Sequence, residues 1–135
     1  MSIVVTDSGF GRDDWTNPIT PLAEAGASTT ALDLPEDTNP ADLAGRLKAV
    51  RFIRVAFPGP ADGRGFSIAR QLRLMGYRGR LRAAGHVIAD QYAMARRAGF
   101  DEVEISDALA ARQPEADWLF RANWQCHDYQ ARLRG

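Results

Sequence analysis

Side chains with chemistry to offer gather in three short stretches: Asp62-Gly63-Arg64-Gly65-Phe66-Ser67, Gly85-His86 and Ser106-Asp107. In the first, two glycines let the backbone turn its N–H groups inward, and the loop runs straight into a helix opened by Phe66 or Ser67. Ser67 is expected to cap that helix, whose N-terminus carries partial positive charge. Arg64 adds a planar, permanently charged fork suited to phosphate, sulfate or sulfite. Gly63, Arg64, Gly65 and Ser67 are therefore a candidate oxyanion cradle. It is not a P-loop, because no Gly-Lys-Ser/Thr ends it, and its glycine spacing is not the dinucleotide fingerprint. The plainer alternative is that the glycines make the turn while Arg64 pairs with Asp62 or Asp90.

Histidine is the side-chain type suited to proton transfer near neutral pH, and His86 stands at a strand end just before a helix. His86 and Asp62 are the candidate catalytic acid–base groups. The alternative for His86 is capping or packing, with Asp90 four residues on and within helical reach. Cys126-His127 offers half a metal site, but a structural site needs four spaced ligands, and the chain has one cysteine and two histidines. No metal is expected, no disulfide within the chain can form, and no flavin, nicotinamide, CxxC or siroheme signature suggests a cofactor.

These stretches need a scaffold, and the patterning from Arg51 to Ile105 supplies one. Arg51–Phe57 is the strongest strand signal, ended by Pro58-Gly59-Pro60. A helix follows, with Ile68, Leu72 and Met75 on one face and Gly76 at its left-handed cap. Arg80–Ala84 reads as a strand, Val87 to about Ala98 as a helix, and Asp101–Ile105 as a strand with Glu102 and Glu104 out, Val103 and Ile105 in. Upstream, Ile3–Thr6 and Thr29–Leu34 are strands, Phe10–Pro21 is irregular with Trp15 packed on the domain edge, and Asn39-Pro40 opens a helix to about Ala49. Downstream, Ser106 caps a helix to Arg112 and Pro114 starts another. Two βαβ units in succession imply an α/β fold with a small, mainly parallel sheet, either open or like part of a barrel. The loops after Phe57, Ala84 and Ile105 then share the C-terminal edge, where ligands of such sheets bind.

The 135 residues suit one domain spanning 1–135. Apolar content of 45% and charged content of 25% are those of an ordinary globular protein. No apolar run could span a bilayer and no leader is visible at the N-terminus, so the expected location is the cytoplasm. The net charge is zero, yet eight arginines between Pro58 and Arg97 face only Asp62 and Asp90. Arg70 and Arg73 from a helix and Arg82 from the strand after it are expected to form a positive face for an acidic protein partner. Nucleic acid is not expected, since no aromatics interleave with these arginines.

The same residues carry a resemblance. Phe57-Pro58, Asp62 to Arg70, Leu72-Arg73, Gly76-Tyr77, Gly79, Leu81-Arg82-Ala83, Gly85, Val87, Asp90-Gln91 and Arg97 to Asp101 resemble the bacterial domain-of-unknown-function family 934. Where that family usually has Gly-Asp-Val, this chain has Gly85-His86-Val87. Members are commonly labelled oxidoreductases of sulfite reduction, so the resemblance implies a role near the sulfite reductase pathway and brings no cofactor with it. Three functions are weighed. One is an accessory protein of assimilatory sulfite reduction, with an arginine face for a pathway protein and an oxyanion loop. The second is an enzyme on a small anionic substrate at the C-terminal edge of the sheet. The third is a non-catalytic protein that acts through oligomerisation, as a homodimer joined through Trp118 and Trp124.

Overall fold

Short alternating and β-branched runs give seven strands in the computed structural model, which describes residues 2–59 and 61–122. They are β1 (Ser2–Thr6), β2 (Gly9–Gly11), β3 (Thr20–Pro21), β4 (Ala31–Leu34), β5 (Phe52–Phe57), β6 (Arg80–Gly85) and β7 (Glu102–Ser106). The α-helices are α1 (Arg64–Leu74), α2 (Tyr92–Ala98), α3 (Asp107–Arg112) and α4 (Glu115–Arg121). Pro60, Trp124, the Cys126-His127 pair and the tail after Tyr129 lie outside the described residues.

The sheet is open, in the order β2-β1-β7-β6-β5-β4-β3. The run from β3 to β7 is parallel, and β1 joins β7 and β2 antiparallel. Each parallel strand is laid beside its predecessor, always on the same side. Crossovers of this kind are right-handed, so a run without reversal sends its helices to a single face. The core agrees: Leu32, Ile53, Val55, Leu81, Val103 and Ile105 face Ile68, Leu72, Tyr92, Ala95 and Trp118 in one buried cluster. Because strand order never reverses within the parallel run, the described strands form no topological switch point and no crevice of the doubly-wound kind at their C-terminal edge.

Several local expectations shift. The segment after Asn39 makes only a 3-10 turn, Pro40–Leu43, capped as foreseen by the Asn39 side chain accepting from the Ala41 N–H at 3.1 Å. The segment after Gly85 does the same over Ala89–Gln91 before α2 begins. The irregular stretch Phe10–Pro21 contributes two edge strands. Trp15 stacks on Phe52, ring centroids 4.7 Å apart, across the sheet face opposite the helices. Glu102, expected to face out, is buried, because that opposite face is itself covered. No helix of the described residues is long and apolar enough to cross a membrane.

Candidate functional site

The loop before α1 folds around its own carboxylate. Asp62 Oδ1 accepts from the backbone N–H of Arg64 at 3.1 Å and from its Nε at 3.0 Å, while Asp62 Oδ2 accepts from Nη2 at 2.6 Å. The Arg64 guanidinium beside it lowers the Asp62 carboxyl to about 2, helped by the backbone hydrogen bond. The same Nη2 lies 3.9 Å from Glu36. Of the two sequence alternatives for Arg64, the geometry is that of the pair with Asp62. The helix N-terminus and the arginine fork do hold an anion, and that anion is an Asp62 carboxylate.

Gly65 answers to packing. It lies buried against Phe57, and a Cβ there would come within 2.5 Å of the ring. Phe57 also meets Phe66 edge-on at 5.0 Å, so α1 is seated close to the end of β5. Ser67 does not cap: α1 begins at Arg64 with Gly63 in the capping position, which leaves Ser67 exposed in the first turn. His86 is exposed after β6, where its backbone N–H donates to Phe57 O at 2.9 Å. The turn needs Gly85, whose φ is +122° and whose missing Cβ would strike the Phe57 carbonyl. Asp90 turns to Arg121 at 2.7 Å rather than to His86. Ser106 caps α3, its Oγ accepting from the Leu109 N–H at 3.1 Å.

The three arginines assigned to one positive face go three ways. Arg70 is exposed on α1. Arg73 is a clamp: Nε and Nη2 donate to Gly99 O at 3.0 and 2.8 Å, and Nη1 to the carbonyls of Tyr77 and Gly79 at 3.0 and 2.8 Å. Those are carbonyls at the ends of helices and in turns, with no helical partner of their own. Arg82 is fully buried and belongs to no surface. The reason is its register: on β6 it points to the face without helices, where β7 sets Glu102 beside it.

Sequence reasoning missed what that face holds. Arg82 bonds Glu102, Glu104 at 2.8 Å and Asp13 at 2.9 Å. Arg80 bonds Glu102 and Asp14, and Arg54 bonds Asp33 at 3.0 Å and approaches Glu104 at 3.4 Å. Burial opposes the charge on Arg82, yet hydrogen bonding to Asp13 and the nearby glutamates outweigh it and hold its pKa above the ordinary value. A signal existed: Arg80 and Arg82, then Glu102 and Glu104, repeat with period two on successive strands, which is how neighbouring strands present matched side chains on one face.

The outer surface of the helix layer mixes polar side chains with large apolar ones. Leu74 is 81% exposed and Met94 51% exposed, with Arg70 one turn before Leu74 and Arg97 one turn after Met94. Among the described residues no three His, Cys, Asp or Glu side chains come together to hold a metal ion. A family model described as "Bacterial protein of unknown function (DUF934)" matches residues 31–134. No curated protein and no solved structure matches the chain.

Proposed function

The chain belongs to this family of bacterial proteins of unknown function, and we propose from that premise that it is an accessory protein of assimilatory sulfite reduction that works by docking an acidic protein of the pathway. The process is the one the family resemblance implies. The mode of action rests on one observation: α1 and α2 present exposed Leu74 and Met94 to solvent, flanked by Arg70 and Arg97. Exposed apolar side chains with an arginine one helical turn away are the kind of surface that a protein partner covers. By contrast, Asp62 of the catalytic candidates and Arg82 of the expected docking face are paired within the chain, Asp62 with Arg64 and Arg82 with Glu102. The test is binding of the purified chain to the cognate sulfite reductase components at low and high ionic strength. Salt should weaken the complex, and Arg70→Glu or Leu74→Asp should weaken it about tenfold or more while thermal stability is unchanged. Binding that ignores both substitutions and salt would refute the assignment to this face.

A further inference from the structure

Residues 12–19 cross the helix-free face of the sheet with no helix or strand of their own. Three consecutive side chains fasten them: Asp13 to Arg82, Asp14 to Arg80, and Trp15 stacked on Phe52. The sheet does not depend on the two aspartates for charge balance. Its own Arg54, Arg80 and Arg82 are met by its own Asp33, Glu102 and Glu104. Asp13 and Asp14 are carboxylates beyond that balance. Beneath the segment lies a prepared surface: Phe52, fully buried, with the guanidinium of Arg82 4.9 Å and that of Arg80 5.7 Å from its ring centroid. The cover fits imperfectly, since the Trp15 indole Nε1 is buried with no hydrogen-bond partner among the described residues. A buried donor left unpaired costs free energy that a permanent element of the core would avoid.

We propose that residues 12–19 are a releasable strap, occupying in the free protein the place of an acidic, aromatic-bearing peptide segment of a partner protein, and that release opens a site made of Phe52, Arg80 and Arg82. The chemistry of the occupant is argued from the strap itself, whose Asp13-Asp14-Trp15 already matches two arginines and an aromatic floor. The surface lies across the sheet from the α1–α2 face, so it stands or falls apart from that assignment.

The first test uses the native chain. Solvent exchange of the Trp15 indole proton is followed by NMR beside the amides of Val55 and Ala83 in the centre of the sheet. Once intrinsic rates are allowed for, the indole should exchange at least about tenfold faster, and faster again at high salt, through local opening. Exchange at the rate of the sheet amides would show that the segment leaves only on global unfolding and would overturn the proposal. The second test adds a labelled synthetic peptide of residues 11–19 to the full chain carrying Asp13→Asn, Asp14→Asn and Trp15→Ala. The peptide should bind this variant at least about tenfold more tightly than it binds the native chain. Equal binding to both, or no binding to a variant whose sheet amides stay protected, refutes it. If the variant does not fold, the indole measurement decides alone.

Discussion

Asp13 and Arg82 stand 69 residues apart in sequence and 2.9 Å apart in space, joined across the sheet face that carries no helices. Arg82 is the hub of that face, because Glu102 and Glu104 converge on the same guanidinium. Removing it leaves the buried Glu102 with Arg80 alone and Glu104 with only the more distant Arg54. Arg82→Met should cost about 3–5 kcal/mol in urea unfolding, the range for breaking a buried ion pair from one side. Adding Glu102→Leu should restore part of that loss, since an apolar pair tolerates burial. A single variant as stable as the native chain would show that the hub contributes nothing.

Acid should loosen the strap before it melts the sheet. The hydrogen bond from Arg82 lowers the Asp13 carboxyl below its ordinary 3.8, and the one from Arg80 lowers Asp14 likewise. A carboxyl lowered in the folded state lends stability that is complete above its unfolded value and is lost as pH falls through the folded one. Thermal midpoints should therefore hold steady from neutrality to about pH 4 and fall below it. The Asp13→Asn/Asp14→Asn chain should fall less steeply over that acid range. Parallel curves for the two proteins would assign the acid sensitivity to other carboxylates.

Arg70 and Arg73 lie three residues apart on α1 and should respond oppositely. Arg73→Ala strips donors from the carbonyls of Tyr77, Gly79 and Gly99 and should destabilise by about 2–3 kcal/mol. Arg70→Ala, at an exposed position, should change stability by no more than about 0.5 kcal/mol. Loss of partner binding in Arg73→Ala therefore means little without its denaturation curve. Loss in Arg70→Ala points directly to the surface.

Asp62 decides whether the loop before α1 accepts an outside oxyanion. Its carboxyl, at about 2, stays charged at every working pH and keeps the Arg64 fork. Sulfite and sulfate should leave the thermal midpoint of the native chain unchanged and raise that of Asp62→Asn. A ligand at a hundred times its dissociation constant adds about 2.7 kcal/mol, well within reach of a melting curve. A shift already present in the native chain and removed by Arg64→Ala would show that an oxyanion displaces Asp62 unaided.

Local signals settled a good deal. The Asn39 and Ser106 caps, the left-handed turn at Gly76, and the succession of strands from β4 to β7 follow from residue types a few positions apart, and they suffice for a mainly parallel α/β sheet; that it is open and not part of a barrel came from the tertiary structure. The sequence also placed Asp62 beside Arg64 among the alternatives, since a two-residue separation needs no fold to close it. It could not distribute the arginines. Arg70, Arg73 and Arg82 are the same residue type in one basic segment, and nothing local separates an exposed side chain from a clamp or a buried hub. That choice belonged to the sheet. Winding in one direction put the helices on one face and left Arg54, Arg82, Glu102 and Glu104 on the other, where Arg82 and Glu102 are out of water beneath a strap from the far N-terminal region. Burial of a charge depends on which strands become neighbours and what crosses over them, and those contacts span 20 to 69 residues of chain.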